Sequence, residues 1–420
     1  MPRRKAPAVL PDGSAPLAGV RILDLTRVLA GPWSAQFLAD LGADVIKVER
    51  PGGGDDSRTF GPPYLVGRDG EQTAENAFFL SANRGKRSIT LNLANKDAQK
   101  IVRSLARNSD VVMENYKVGT LGKYGLDYAS LSADHPGLIY CSITGFGQSG
   151  PYSHRPGYDA VFQGMGGLMS VTGPEDGAPG AGPVKVGPSI VDIVAGLFAS
   201  NGITAALFQR TRNGGRGQHV DIALLDSVVA AMSHYAQIYL VSGVAPPRRG
   251  TAGNGGIPSQ MFNCSDGAIM LTAGNDAQFA RLCGVLERPD LVADPRFATN
   301  NARVANRREI TTMLDTLFRA NTVDHWLARL EAADVPSGPI NDLRGVFDDP
   351  QVRQRGMRMS LPHPLSPDLR VVGCPVKLSG SSTGATRPPP LIGEHTEEIL
   401  REELGLDAAS IAALRENGAC

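Results

Sequence analysis

Cysteine is scarce in this sequence, five in 420 residues: Cys141, Cys264, Cys283, Cys374 and Cys420, with no Cys-x-x-Cys among them. That spacing supports neither a disulfide framework nor a zinc site, and it fits a reducing compartment. Excess charge of one sign is missing as well. Lys plus Arg and Asp plus Glu both count 42, which argues against a general attraction to nucleic acid or an anionic membrane. Apolar stretches such as Ile190–Ser200, interrupted by Asp192, stay short of the roughly 20 residues that cross a bilayer. Residues 1–16, opening Met1-Pro2-Arg3-Arg4-Lys5, lack the apolar centre of a secretory signal and read as a flexible tail. A cytoplasmic protein acting on small molecules is the expectation.

Familiar catalytic signatures are absent too. The seven histidines form no H-E-x-x-H or close metal-ligand pair, and no serine lies in G-x-S-x-G. Gly253-Asn254-Gly255-Gly256 lacks the third glycine of a dinucleotide fingerprint and does not follow the first strand. Gly85-Lys86-Arg87-Ser88 resembles the end of a P-loop, but Leu80 stands where its first glycine belongs, and a strand follows instead of a helix. Lys86 and Arg87 stay candidates for phosphate contact without nucleotide hydrolysis.

What is present is an α/β alternation. The pattern predicts strand Val20–Leu25, helix Pro32–Leu41 and strand Val45–Val48. It continues through strand Ser88–Leu93, helix Lys96–Ala106, strand Asp110–Glu114 and strand Leu138–Ile143. After a Gly- and Pro-rich stretch from Gly164 to Gly187, helix Ile190–Gln209, strand His219–Ile222 and helix Asp226–Tyr239 are expected. A second break at Pro246–Pro258 precedes a hairpin turning at Ser265-Asp266-Gly267, then helices Asp276–Leu286, Arg307–Arg319 and Thr322–Ala332. Short strands and the helices Thr396–Leu404 and Ala408–Arg415 close the chain. A chain of 420 residues is more readily two domains than one.

Asp159 draws attention because it ends a glycine- and proline-broken segment, Gly147 to Asp159, just after an apolar strand. Read locally, it is a helix N-cap for a helix beginning at Ala160. The other reading is a carboxylate nucleophile. An exposed Asp, with a pKa of about 3.9, is ionised at neutral pH and needs no neighbouring base, so His154 is either an acid–base group or an ordinary loop histidine.

Several blocks taken together resemble one family from about residue 16 to 418. They are Gly19–Thr26 with Ala30-Gly31-Pro32, Gly42–Pro51, Asn83–Ser88, Glu114-Asn115-Tyr116, Ile143–Gly147 and Gly157-Tyr158-Asp159. Later blocks are Gly215–Gln218, Gly274–Phe279, Gly338–Asn341 and Pro390–Thr396. In order and spacing they resemble the class III coenzyme A transferases, the superfamily of formyl-CoA transferases and α-methylacyl-CoA racemases. Leu25–Pro32, Gly54-Asp55-Asp56, Ile139–Gly145 and Arg387–Leu391 are most similar to members that use succinyl-CoA and a dicarboxylate such as glutarate.

The resemblance implies a large α/β domain with a Rossmann-like parallel sheet (17–210 and 337–420), a smaller inserted α+β domain (211–336) and an interlocked homodimer. It implies that Asp159 is the nucleophile, passing the acyl group through an aspartyl anhydride and an aspartyl-CoA thioester. Coenzyme A is then a substrate, with no permanently bound cofactor. Its contacts carry over to Leu29, Ala30, Arg50, Ala82, Asn83, Arg84, Gly85, Asn115, Tyr116, Lys117, Lys123, Thr144, Gly145, Phe146 and Gly147. Gly253, Asn254, Gly255 and Gly256 become a mobile loop over the site, the other reading being an interdomain turn. Formyl-CoA transferases have Gln at the place of Leu29 and often Lys at that of Thr144, which turns the expectation away from formyl or oxalate substrates. Alternatives are a racemase, whose relatives usually have His where Tyr158 stands, and a non-catalytic acyl-CoA-binding protein.

Overall fold

The computed structural model describes residues 14–420, so most of the expected N-terminal tail lies outside the described residues. Between Arg21 and Ala231 the chain alternates strands and helices: β1 (Arg21–Asp24), α1 (Ala30–Asp40), β2 (Asp44–Glu49), β3 (Lys86–Thr90), α2 (Lys96–Arg107), β4 (Val111–Glu114), β5 (Ile139–Thr144), α3 (Asp159–Met165), α4 (Ile190–Arg212), β6 (His219–Ala223) and α5 (Leu224–Ala231). The six strands form one parallel sheet in the order β3-β2-β1-β4-β5-β6. This is the doubly wound order, whose ligand crevice lies at the carboxyl ends where the order reverses, here between β1 and β4.

Strand alternation sorts the apolar side chains onto two faces. Ile22, Val45, Val111, Ile139 and Cys141 pack with α1 and α4, while Leu23, Ile46, Val112 and Tyr140 pack with α2 and with Ile399 and Ile411 of the C-terminal helices. α4 exceeds the apolar stretch expected from sequence: its 23 residues are long and apolar enough to cross a membrane by composition alone. In the fold, Val191, Ala195, Ala199 and Ile203 form a stripe at helical spacing buried on the sheet. Gly196 lets α4 also lie close against α1, because a Cβ there would meet the Ala30 carbonyl of α1 at 2.8 Å.

A second unit carries the antiparallel strands β7 (Ser259–Asn263), β8 (Ala268–Thr272) and β9 (Ser337–Pro339), in the order β9-β8-β7. Its core gathers Phe262, Phe279, Phe318 and Trp326. Among the described residues, the two units comprise residues 14–168, 186–237 and 350–420, and residues 169–185 and 238–349. These bounds differ from those drawn from sequence. β6 is the sixth strand of the large sheet, so residues 211–237 belong with it, and β9 pairs with β8, so 337–349 belong with the small unit. The turns at Gly214 and Pro336 punctuate elements, not domains. The helix expected over Asp226–Tyr239 is two helices, Leu224–Ala231 and Ser233–Ser242, separated where Ser233 takes a left-handed backbone (φ 44°). Elements with weak sequence pattern, such as the hairpin Tyr64–Val66 with Gln72–Asn76, were not foreseen.

Candidate active site

Asp159 is the first residue of α3, and Tyr158 before it occupies the N-cap position without a side-chain bond. The carboxylate therefore does not cap its own helix. It caps another: Oδ1 accepts the backbone N–H groups of Val191 (2.8 Å) and Asp192 (3.2 Å) in the first turn of α4. Ser189, the N-cap of α4, makes no such bond itself. A helix N-terminus favours negative charge, so α4 both orients the Asp159 carboxylate and stabilises its charge. Oδ2 takes one hydrogen bond, 2.6 Å from Gln163 Nε2 one turn along α3. Gln163 is fully buried and fixed in turn, its Oε1 accepting the Val186 N–H at 2.8 Å. Oδ2 is thus the oxygen with a lone pair to spare. Asp159 is 6% exposed.

The approach to α3 depends on glycine. A Cβ at Gly157 would lie 2.4 Å from the Phe162 ring, and one at Gly145 2.7 Å from it. The buried Phe162 seats between these two points and meets Phe146 edge-on at 5.1 Å. Gly147 turns with φ +84°, its N–H donating to Thr144 Oγ1 at 3.0 Å. Beside Asp159, Tyr158 is 70% exposed. His154 is exposed and makes no hydrogen bond among the described residues.

The other residues expected at the site fall into two groups. Leu29 and Ala30 begin α1 after β1, and Asn115, Tyr116 and Lys117 follow β4. These two loops are tied at the sheet's reversal point by hydrogen bonds from Arg27 N to Asn115 Oδ1 (2.9 Å) and from Asn115 Nδ2 to Arg27 O (2.7 Å). Arg27 lies over the Tyr116 ring at 4.6 Å. Arg50, Lys117 and Lys123 are exposed, Arg50 standing 3.7 Å from Asp56. Lys117 also borders a cavity of ≈ 230 Å³ together with Glu114, Tyr140, Ser142 and His219. Burial holds the Glu114 carboxyl above its usual range there.

Ala82, Asn83 and Arg84 are buried, and Gly85 is half-buried. Arg84 pairs with Asp40, and Asn83 bonds Phe79 O and Lys86 Nζ. These side chains are engaged in holding the fold together. The same holds for the phosphate contacts weighed at Lys86 and Arg87. Lys86 Nζ is wholly buried and donates to Asp24, Pro32 O and Asn83 within 2.9 Å. Burial, partly offset by Asp24, lowers its pKa to about 8. Arg87 is engaged by Asp44, Glu398 and Glu403.

In the small unit, the ends of the Gly253–Gly256 segment are anchored. Gly253 bonds Ser259 O through its N–H and Arg307 through its carbonyl. Gly256 lies so close to Gly274 that a Cβ would stand 2.4 Å from its Cα. Gly255 alone faces open space within 4 Å.

Two residues at the centre were not foreseen. Gln163 lies four positions after Asp159, a spacing that puts both on one helix face and was open to sequence reading. Asp192 was noted only as an interruption of an apolar run. Its carboxyl is pushed up to about 7, first by burial and then by the charge of Asp159.

The sequence profile described as CoA-transferase family III matches residues 17–396. The succinyl-CoA:glutarate CoA-transferase of Mus musculus is 44% identical over 407 residues, covering 97% of this chain and 91% of the mouse protein. The succinate–glutarate CoA-transferase of Agrobacterium fabrum is 44% identical over 393 residues, covering 94% and 97% respectively. A crystal structure of a CAIB/BAIF family protein from Brucella suis superposes with a TM-score of 0.82 at 44% identity, covering 93% of this chain and all of that one. With its parallel sheet, its helix-capped Asp159 and this match along nearly its whole length, the chain belongs to CoA-transferase family III.

Proposed function

We propose that this enzyme moves coenzyme A from succinyl-CoA to a dicarboxylic acid, with Asp159 as nucleophile. The observation that carries the reading is the Asp159 carboxylate itself: buried, held by Gln163 and by two amides of α4, with Oδ2 left one hydrogen bond short. Oδ2 attacks the thioester carbonyl, giving an anhydride and free CoA. CoA then attacks the Asp159 carboxyl carbon and expels the donor acid, leaving an aspartyl-CoA thioester. In that step negative charge develops on Oδ1, where the Val191 and Asp192 N–H groups already point, as an oxyanion hole requires. The acceptor carboxylate repeats the sequence in reverse. An anhydride keeps the acyl-transfer potential of the thioester, so no ATP is needed.

Support for the CoA contacts at Leu29, Ala30, Arg50, Asn115, Tyr116, Lys117 and Lys123 comes from the crevice rule for doubly wound sheets and from the exposure of the three cations, which suits phosphate. Thr144, Gly145, Phe146 and Gly147 join them as the backbone leading to Asp159. Ala82, Asn83, Arg84 and Gly85 shape this region through packing. A covering role for Gly253–Gly256 rests on the resemblance and on the open side of Gly255. The choice of a dicarboxylate acceptor rests on the names of the mouse and Agrobacterium relatives. A cytoplasmic location fits the five free thiols. A homodimer fits the large apolar side chains left exposed, Phe208, Val229, Leu240 and Val241 among them.

The test is a panel of dicarboxylic acids with succinyl-CoA as donor, reading the acyl-CoA products by mass spectrometry. Exchange onto at least one acceptor, abolished in a folded Asp159→Ala variant, is the expected result. Full activity in that variant would overturn the reading, and so would deuterium from solvent at the α-carbon without any acceptor, which is racemase chemistry.

A further inference from the structure

Asp192 is the acid next to Asp159 that the reaction above does not use. It sits in the first turn of α4, half-buried, with its own N–H on Asp159 Oδ1 at 3.2 Å. Four buried acids elsewhere in this unit meet a cation: Asp24 meets Lys86, Asp40 meets Arg84, Glu49 meets Arg58 and Asp55 meets Lys47, while buried Glu114 accepts the Tyr116 N–H instead. The Asp192 carboxyl has no cation and no hydrogen-bond donor among the described residues. Elements packed against α4 carry Asp40 on α1, Asp159 on α3, Tyr140 and Cys141 on β5, His219 and Asp221 on β6 and Asp226 on α5, and α4 itself ends in Arg210 and Arg212. Of these charges only that of Asp159 acts on Asp192.

Two neighbouring carboxyl groups resist double ionisation. Burial and the Asp159 charge leave Asp192 titrating at about 7, so near neutrality it holds a proton much of the time. Acylation removes the Asp159 charge and makes Asp192 the stronger acid at the moment a CoA thiolate appears. Thiols ionise near about 8.5, so the proton moves downhill from Asp192 to sulfur.

Resting on the CoA-transfer reading above, we propose that Asp192 is the proton carrier of the reaction, protonating CoA as it leaves and deprotonating it as it returns. In the donor step a bond forms between Asp159 Oδ2 and the acyl carbon. The carbon–sulfur bond breaks with its electron pair on sulfur, and the Asp192 proton goes to that sulfur. The products are anhydride, CoA thiol and Asp192 carboxylate. In the return step sulfur bonds the Asp159 carboxyl carbon, the donor acid departs with the electron pair of the broken carbon–oxygen bond, and the thiol proton returns to Asp192.

Asp192→Asn keeps the side-chain size and the backbone N–H on Asp159. In this variant the donor half-reaction at pH 6.5 should slow about 100-fold, within the range for a lost general acid. The fall in wild-type rate as pH rises through about 7 should vanish. With an arylthiol ester of succinate, whose leaving group needs no proton, variant and wild type should react alike. An equal defect with both esters, or an unchanged rate and pH profile, overturns the role. A wild-type donor half-reaction with neither an alkaline limb nor a solvent deuterium isotope effect overturns it without any variant. Asp159→Ala separates the two readings: if it retains exchange, CoA transfer through Asp159 fails, whereas an inactive Asp159→Ala beside an unaffected Asp192→Asn removes the proton carrier alone.

Discussion

Gln163 holds Asp159 through one strong hydrogen bond and is itself held by Val186. Its replacement by Leu, close in size, should lower kcat more than it raises KM, since the carboxylate loses its orientation before it loses substrate. It should also cost about 1–3 kcal/mol of stability by stranding buried polar groups; steady-state kinetics and denaturant unfolding of the same preparation measure both. Asp192 adds a stability signature of its own. Folding raises its pKa from 3.8 to about 7, so its favourable contribution is complete below the unfolded value and is lost as pH climbs through the folded one. Asp192→Asn should therefore gain on wild type by roughly 1–3 kcal/mol between pH 5 and pH 8, read as the difference between denaturant curves at the two pH values. At this scale, Asp159 was legible in the sequence through the blocks around it. Its partners were not, because an amide 32 residues downstream becomes a neighbour only when α4 folds back over α3.

Among the elements, α4 does most to build the site. Its N-terminus receives Asp159, its stripe of Val191, Ala195, Ala199 and Ile203 covers the sheet, and Gly196 brings it against α1. Gly196→Ala places a methyl 2.8 Å from the Ala30 carbonyl. It should destabilise the protein by about 1–3 kcal/mol, as overpacked sites do, and lower kcat by shifting the amides on Asp159. A melting curve with wild-type midpoint and unchanged kcat would show that α4 tolerates the shift. Most strands and helices were legible because period-2 and period-3.6 patterns survive in the sequence. The break at Ser233 was not, since the apolar pattern runs straight across it.

For the whole molecule, exposed Phe208, Val229, Leu240 and Val241 are more apolar surface than single scattered residues explain. Sedimentation equilibrium should give twice the chain mass of 44.3 kDa; a monomer at micromolar concentration would refute the dimer. The sequence by itself determined the α/β class and the family, and singled out Asp159 as the proposed nucleophile, because these rest on local periodicity and on ordered blocks of residue type. Tertiary structure decided the rest. It placed β6 in the large sheet and β9 in the small one, turned Lys86 and Arg84 inward as partners of buried acids, tied Arg87 to Asp44, Glu398 and Glu403, and set Asp192 beside Asp159. Each of these depends on contacts between residues distant in the chain, and on how burial shifts charge, which neither composition nor spacing encodes.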